Sequence, residues 1–311
     1  MSYCMIGKFS IGIIALVLGA MLLCGAVSAD RVDTLGEHGA DRLLIATTTS
    51  LDATKLLDLL EEKFKEETGV TVEHVAVGTG MALEIARNCD ADIVMVHDRV
   101  AEDKFIDEGF GVDRRVFGYN YFLLVGPEND PAKVAGLNGT AAFIAIEKAA
   151  AEDPSVVFVS RGDQSGTHSR EKLLWKWGGY DYAEINTSDW YRDAGSGMGQ
   201  TLTMTEELQG YTLSDSATWG TYESELTLVP LVENDENFQN VYAVMRVNDE
   251  KCPDVNTEIA KKWINFMISD EVQDILQTYG TEKTGVPYFN PGRGQAEVMG
   301  VTVEETADPV V

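Results

Sequence analysis

The chain has 311 residues, of which 44% are hydrophobic, and a formal net charge of −27. A charge of this sign repels nucleic acid and any anionic ligand at long range, so we exclude nucleic-acid binding as a function class. An anion site in this chain would have to work through hydrogen-bond donors that converge over a short distance.

The first 29 residues have the pattern of an export signal. Lys8 precedes an apolar run over residues 9–27, and the run closes on Val27, Ser28 and Ala29. A basic start, an apolar middle and small residues before the cleavage point are the plan of a secretory signal. An uncleaved membrane anchor and lipid attachment at Cys24 are the alternatives. All three place the rest of the chain outside the cytoplasm, in the periplasm or on the outer face of the cell membrane.

Two cysteines remain after this segment, Cys89 and Cys252. In an oxidising compartment they form either one disulfide or two buried free thiols, and their spacing does not decide between the two. The sequence contains no cysteine cluster with metal-ligand spacing. We therefore expect no cofactor, and no metal held by protein ligands.

Strands and helices alternate along the rest of the chain, with glycine or hydroxyl residues where strands pass into helices. This alternation predicts a largely parallel sheet with helices on both faces. Residues 259–279 have the periodicity of one long amphipathic helix, and the acidic stretch after Val301 is expected to fray. The predicted strands cover residues 43–46, 70–77, 92–96, 119–125, 156–159, 211–213, 226–229 and 241–247, and the other predicted helices cover residues 56–69, 81–88, 99–108, 141–151, 171–177 and 200–208.

The first polar joint is Thr47, Thr48, Thr49 and Ser50, which we call the hydroxyl loop. In open α/β sheets, ligands bind at the carboxyl ends of the strands, where this loop falls. Unpaired N–H groups at a helix start suit an anion, and hydroxyls add donors without adding charge. The alternative is plain helix capping, which needs only one of the four residues.

Gly78, Thr79 and Gly80 form a second joint. The glycines permit close backbone approach to a ligand, and Thr79 offers another donor; an ordinary tight turn is the alternative. The glycine pattern of a dinucleotide site is incomplete here, and no P-loop lysine follows it.

The third joint, residues 160–168, carries the strongest signal, and we call it the arginine loop. Arg161 provides a planar and permanently charged guanidinium suited to an oxyanion, and Asp163 is placed to orient it. Ser165, Gly166 and Thr167 add two hydroxyls and a run of N–H groups at the start of the next helix.

Two further joints fit a structural function better than a ligand site. Residues 194–199 are rich in glycine and fit a tight helix start. His97 and Asp98 fit a helix cap, with Asp98 facing the ligand cleft as the alternative. His168 and Glu171 lie three apart on one helix face, as half of a metal site would, but a hydrogen-bonding function is favoured.

The hydroxyl loop together with residues 160–171 resembles the two signature segments of Tup-type tungstate-binding proteins of ABC importers. The similarity runs from about Leu43 to Gly292. The resemblance implies a type II periplasmic-binding fold with two lobes, each a mixed, mostly parallel sheet flanked by helices. Residues 40–125 plus 245–300 would form one lobe and residues 126–244 the other. The hinge crossovers would lie near residues 124–127 and 241–245.

The same resemblance implies which residues bind the oxyanion and which proteins receive it. The protein would be a monomer that closes around tungstate and is recognised by a membrane permease coupled to a cytoplasmic ATPase. Molybdate and phosphate are the alternative cargoes. Asp98 keeps phosphate as an alternative, because a carboxylate that faces the cleft would accept a hydrogen bond from hydrogen phosphate. A secreted hydrolase is the remaining alternative, but no nucleophile elbow and no zinc-protease motif appear. The predicted ligand contacts are Thr48, Thr49, Ser50, Thr79, Gly80, Arg161, Ser165, Gly166 and Thr167, with Asp163 orienting Arg161.

Overall fold

We describe residues 41–311 of a computed structural model of the chain; the predicted signal segment, with Lys8 and Cys24, lies outside the described residues. The strands are β1 (Arg42–Thr48), β2 (Thr71–Val77), β3 (Ile93–Val96), β4 (Gly111–Gly126), β5 (Phe158–Ser160), β6 (Tyr191–Asp193), β7 (Thr212–Asp215), β8 (Val229–Val232), β9 (Gln239–Val247) and β10 (Asn290–Pro291). The helices are α1 (Thr49–Ala53), α2 (Leu56–Thr68), α3 (Thr79–Arg87), α4 (Arg99–Asp107), α5 (Gly139–Glu152), α6 (Gly166–Trp177), α7 (Tyr182–Ile185), α8 (Met198–Leu208), α9 (Ser216–Tyr222), α10 (Thr257–Met267), α11 (Asp270–Leu276), α12 (Thr281–Thr284), α13 (Ala296–Met299) and α14 (Val303–Ala307).

The strand β1 is the centre of a parallel unit. It pairs parallel with β2 on one side and with β3 on the other, so that Ala46 lies opposite both Val75 and Val94. The apolar residues of β1 and β3 are buried, as expected for parallel strands covered on both faces. The hydroxyl loop therefore lies at the carboxyl end of a central strand.

The long strand β4 connects two separate hydrophobic cores. Its residues up to Tyr121 pair antiparallel with β9, whereas its residues from Phe122 onward pair antiparallel with β7 and β8. Phe117 packs in the first core, whereas Phe122 and Leu124 pack in the second. Separate cores are what defines separate lobes, although the predicted lobe boundaries stay a prediction.

The second core lies around β5, α5 and α6. Phe158 and Phe143 pack against Trp175, with the ring centres of Phe143 and Trp175 4.6 Å apart. The strand β5 pairs parallel with β6 and leads directly into the arginine loop. This packing fixes the strand that precedes Arg161 and the helix that follows it.

The pairing is less parallel than predicted. Parallel pairs join β1 with β2 and β3, and β5 with β6, whereas the pairs that involve β4 and β9 are all antiparallel. The antiparallel pairs follow from the path of the chain, because β4 leaves the first core and β9 returns to it in the opposite direction. Alternation of strands and helices does not reveal such crossing strands.

The predicted helix over residues 259–279 is two helices, α10 and α11. Ser269 interrupts it, because its side chain accepts a hydrogen bond from the Val272 N–H and caps α11. A serine followed by two acidic residues is a helix-start signal. The hydrophobic periodicity continues across this boundary, so it predicted one helix instead of two.

The expectation that the chain frays after Val301 was wrong. Thr302 and Glu305 form a capping box at the start of α14, and Val310 packs into the first core. The backbone of Val310 also exchanges two hydrogen bonds with the Asn265 side chain. Capping and burial together order this acidic segment.

Cys89 and Cys252 form a disulfide with their Cα atoms 5.3 Å apart. The bond joins the end of α3 to the segment after β9. Of the two alternatives that the sequence left open, one disulfide or two free thiols, the structure has the disulfide. None of the helices within residues 41–311 is both long enough and apolar enough to cross a membrane.

Candidate ligand-binding cleft

Two of the four hydroxyl side chains of the hydroxyl loop stabilise the local structure. Thr47 Oγ1 donates to the Met95 carbonyl at 2.9 Å, and Thr48 Oγ1 accepts a backbone N–H of α1 at 3.3 Å. Thr49 and Ser50 line a cavity of about 350 Å³. Thr48 therefore fits the capping interpretation, whereas Thr49 and Ser50 fit the ligand interpretation.

Arg161 connects the hydroxyl loop to the arginine loop. Its side chain is buried, and its Nη2 donates to Asp163 Oδ2 at 2.5 Å and to Thr49 Oγ1 at 3.3 Å. The contact with Asp163 is the orienting bond that the sequence predicted. A guanidinium held in this way presents its remaining donors in a fixed direction.

A buried glutamate, Glu171, holds the first half of the arginine loop. It accepts hydrogen bonds from the Ser160 hydroxyl at 2.5 Å, the Tyr191 hydroxyl at 2.7 Å and the Trp175 indole at 3.2 Å. Ser160 Oγ in turn accepts the Gly162 N–H at 3.1 Å. Burial raises the pKa of Glu171 to about 7, against the opposing effect of these hydrogen bonds.

His168 holds the second half of the same loop. Its Nδ1 accepts the Gln164 N–H at 3.1 Å, and its Nε2 lies 2.6 Å from the Tyr182 hydroxyl. Tyr182 contacts Tyr191 at 2.9 Å, which closes the network on Glu171. Burial, followed by Lys172, lowers the pKa of His168 to about 4. These bonds give His168 and Glu171 the hydrogen-bonding function that the sequence favoured.

The start of α6 brings the remaining arginine-loop residues together. Ser165 caps the helix by accepting the His168 N–H at 3.3 Å, and Asp163 accepts the Ser165 N–H at 3.1 Å. Gly166 lies so close to His97 that a methyl group there would be 2.6 Å from His97 Cε1. Thr167 is buried beside it.

The joint at residues 78–80 meets the arginine loop. A methyl group at Gly78 would lie 3.2 Å from the Asp163 carbonyl oxygen, so the two backbones are in near contact. Thr79 is buried, and its contact with a ligand stays a prediction. Gly80 is exposed and has open space around it, so no close backbone approach explains that glycine.

For the glycine-rich joint at residues 194–199 the sequence favoured a tight helix start over a ligand-facing loop, whereas residues 197–200 line the cleft. Tyr222 lines it too, and a methyl group at Gly199 would lie 2.3 Å from the Tyr222 hydroxyl. Gly199 therefore leaves room for a ring that comes from another helix. A partner so distant in sequence gives no local signal.

Several buried polar atoms near the cleft have no hydrogen-bond partner within residues 41–311. They are Arg161 Nε, Thr79 Oγ1, Thr167 Oγ1, Thr218 Oγ1 and Asp215 Oδ2. Buried polar atoms are rarely left unpaired in folded proteins. All but Asp215 Oδ2 are groups that donate to oxygen, so this set suits a ligand rich in oxygen atoms.

One residue that joins several parts of the cleft, His97, was predicted together with Asp98 as a helix cap, with a position facing the cleft as the alternative. Its Nε2 lies 3.0 Å from Ser50 Oγ, and its Nδ1 lies 2.8 Å from Asn240 Oδ1. Asp98 instead caps α4 by accepting the Ala101 N–H at 3.2 Å, as the sequence favoured. The only local signal for His97 was its position directly after the apolar strand β3.

The chain is similar in sequence and fold to known substrate-binding proteins. The PBP superfamily domain matches residues 33–271. The tungstate-binding protein TupA of Peptoclostridium acidaminophilum is 37% identical over 272 residues, which cover 88% of this chain and 93% of that protein. The solved structure of TupA from Desulfovibrio alaskensis G20 is 40% identical with a TM-score of 0.69, over 81% of this chain and 99% of that chain.

A solved structure of the tungstate ABC transporter from Geobacter sulfurreducens is 38% identical with a TM-score of 0.67, over 77% of this chain and 99% of that chain. The fold of these relatives confirms the predicted two-lobed type II periplasmic-binding class. The chain therefore belongs to the PBP superfamily and, within it, to the TupA family of substrate-binding proteins of ABC importers.

Proposed function

We propose that this protein captures tungstate between the hydroxyl loop and the arginine loop and delivers it to the permease of an ABC importer. One observation carries the proposal: the buried guanidinium of Arg161 is oriented by Asp163 and bonded to Thr49 on the facing loop. With a net charge of −27, the protein attracts an anion only at short range, where a buried charge is weakly screened.

The predicted ligand contacts provide donors from both sides of the cleft. Thr49 and Ser50 line it on the hydroxyl-loop side, and Arg161 lines it on the other. Thr79 and Thr167 add buried hydroxyls without partners among the described residues. A tetrahedral oxyanion has four oxygens to accept such bonds, so donors on both loops would hold the lobes closed around it.

The choice of cargo depends on the relatives. The hydrogen-bond donors suit tungstate, molybdate and phosphate alike, whereas the named relatives at 37–40% identity bind tungstate according to their descriptions. Asp98 was the position that kept phosphate as an alternative, and its side chain is engaged in capping α4. Asp215 Oδ2, a buried carboxylate oxygen with no partner among the described residues, would suit hydrogen phosphate in the same way. The preference for tungstate over both alternatives therefore rests on the relatives.

The proposed cycle needs two lobes that move. We propose that residues 40–125 plus 245–300 and residues 126–244 are these lobes, and that they hinge where β4 and β9 pass between the two cores. The protein would act as a monomer, exported by its first 29 residues. The closed form would engage the permease, and a cytoplasmic ATPase would drive release.

A thermal-shift experiment on ligand-stripped protein tests the proposal. A ligand that binds only the folded state adds about 2.7 kcal/mol of stability at a hundred times its Kd. We expect tungstate to raise Tm at concentrations where phosphate and sulfate leave it unchanged. A rise with phosphate and none with tungstate would reject the proposed cargo.

A further inference from the structure

His97 lies where three parts of the molecule meet. Its ring is buried, it contacts Ser50 in the hydroxyl loop, and it packs against Gly166 at the start of α6. On its other side it contacts Asn240 of the crossing strand β9 and stacks on Tyr242 at 4.8 Å between ring centres. A change in the charge of this ring would therefore act on both loops.

The direction of the hydrogen bonds around His97 follows from a backbone carbonyl. Asn120 Nδ2 donates to the Tyr288 carbonyl at 3.2 Å, so Asn120 Oδ1 faces Asn240 and accepts its Nδ2 at 2.9 Å. Asn240 Oδ1 must then face His97, 2.8 Å from its Nδ1. Because that oxygen only accepts, Nδ1 of His97 carries a proton.

This assignment fixes what Ser50 can do while His97 is neutral. The Nε2 atom then has only a lone pair, so the Ser50 hydroxyl donates its proton to it at 3.0 Å. The lone pairs of Ser50 Oγ remain for the Thr48 hydroxyl at 3.2 Å and for the cleft. In this state Ser50 presents no proton to an oxyanion.

The surroundings keep His97 neutral in the free protein. Burial lowers its pKa most, and the Arg161 charge acts in the same direction, whereas Asp215, Asn240 and Asp98 raise it. The titratable groups beyond the ring line a separate cavity of about 230 Å³ and are Arg99, Glu102, Arg170 and Glu236. Burial raises the pKa of Glu102 to about 8, so this carboxyl group is mostly neutral at pH 7. A dianion in the cleft would add two negative charges beyond the Ser50 hydroxyl that contacts the ring, and would favour the imidazolium.

We propose that His97 takes up a proton from solvent when a dianionic oxyanion binds, and that the Ser50 hydroxyl thereby turns from His97 to the ligand. The new Nε2–H donates to Ser50 Oγ, and the Ser50 proton becomes free to donate into the cleft. His97 is thus a positioning residue that acts through Ser50. The inference rests on the proposed oxyanion function.

Calorimetry with tungstate at one pH, in buffers of different ionisation enthalpy, counts the protons taken up on binding. We expect uptake that approaches one proton per tungstate. At pH values where binding takes up one proton, the tungstate affinity should fall about tenfold for each unit rise in pH, because the bound form holds the extra proton. His74→Gln, which removes a histidine of the same lobe outside the cleft, should keep the uptake.

His97→Gln removes the titrating ring, so we expect its tungstate affinity to be flat with pH and its proton uptake to be absent. Burial also raises two carboxyl pKa values into the neutral range, that of Glu171 near the arginine loop to about 7 and that of Glu102 beyond the ring to about 8, and neither group is the proposed proton acceptor. Glu171→Gln should therefore retain the uptake. Uptake that persists in His97→Gln would assign the proton elsewhere and overturn the inference.

If the His97→Gln variant does not fold, nuclear magnetic resonance on the wild-type protein tests the same inference. The ring nitrogen chemical shifts of His97 should change from the neutral to the imidazolium pattern when tungstate is added. Tungstate binding with a neutral ring and no proton uptake would overturn this inference and leave the proposed function standing. If none of tungstate, molybdate, phosphate and sulfate binds, both are overturned.

Discussion

The two loops that face the cleft are built in different ways. The hydroxyl loop carries no charge, and its residues are held by bonds to nearby backbone and to His97. The arginine loop carries the Arg161 charge and is held at both ends by a buried network that converges on Glu171. The charged half of the site is thus rigidly supported, whereas the neutral half can redirect its protons.

A strongly acidic protein can hold an anion because the two loops divide the task. The guanidinium must be fixed and buried, since it works against the net charge of −27. The hydroxyl groups can be adjusted at low energetic cost, because turning an O–H bond moves no heavy atom. Variants in the two loops should therefore differ in the size of their effects.

The largest effect is expected from Arg161→Glu. Replacing the guanidinium by a carboxylate removes a buried charge that attracts the anion and adds one that repels it. Loss of one partner of a buried charge pair weakens binding by about 2–5 kcal/mol, so tungstate affinity should fall by at least about a hundredfold. Calorimetry gives the affinity, and circular dichroism checks the fold. Arg192→Glu, a charge reversal on the adjacent strand β6, is the matched control and should bind far better. Wild-type affinity in Arg161→Glu would place the site elsewhere.

A smaller effect should follow from Gly166→Ala, which disturbs the contact between the two halves of the site. The added methyl group would lie 2.6 Å from His97 Cε1, and such overpacking costs about 1–3 kcal/mol. Tungstate affinity should fall by roughly tenfold. Gly78→Ala, with 3.2 Å to the Asp163 carbonyl oxygen, should lose less. Equal affinities in both variants would contradict the close contact between His97 and α6.

A third effect concerns stability rather than tungstate affinity, and it is specific to the network of the arginine loop. Because burial raises the pKa of Glu171 to about 7, the folded protein keeps this proton after the unfolded chain has lost it. Stability from this group is therefore present at low pH and lost as pH rises toward about 7, by at most about 3 kcal/mol.

Glu171→Gln should remove this loss, so that its free energy of unfolding falls less between about pH 5 and pH 8 than that of the wild type. Denaturant unfolding at several pH values measures the difference. Glu184→Gln, at an exposed position of the same lobe, should follow the wild-type curve. Identical curves for Glu171→Gln and wild type would show that the carboxyl group is not protonated in the folded state.

The sequence predicted those parts of the site that are local. Arg161 and Asp163 are two residues apart, and the hydroxyl loop directly follows a strand, so short-range patterns revealed both. His97, Asn240 and Thr218 come from segments far apart in the chain, and hydrogen bonds such as His97 to Asn240 span 143 residues. Their meeting depends on how β4 and β9 cross between the cores.

The same limit applies to the fold. Alternating periodicity predicted the parallel unit around β1 and the helices that flank it. It did not predict the antiparallel pairs of β4 and β9, the Ser269 cap that divides α10 from α11, or the ordered α14. The Cys89–Cys252 disulfide spans 163 residues, so spacing could not decide it. Long-range pairing leaves little trace in local sequence.

Calorimetry on ligand-stripped protein tests most directly whether the cleft binds tungstate by short-range geometry. Tungstate, molybdate, phosphate and sulfate would each be titrated into the protein under the same conditions. We expect one tungstate site per chain, with phosphate and sulfate binding at least about a hundredfold more weakly. Tight phosphate binding without a tungstate response would contradict this expectation.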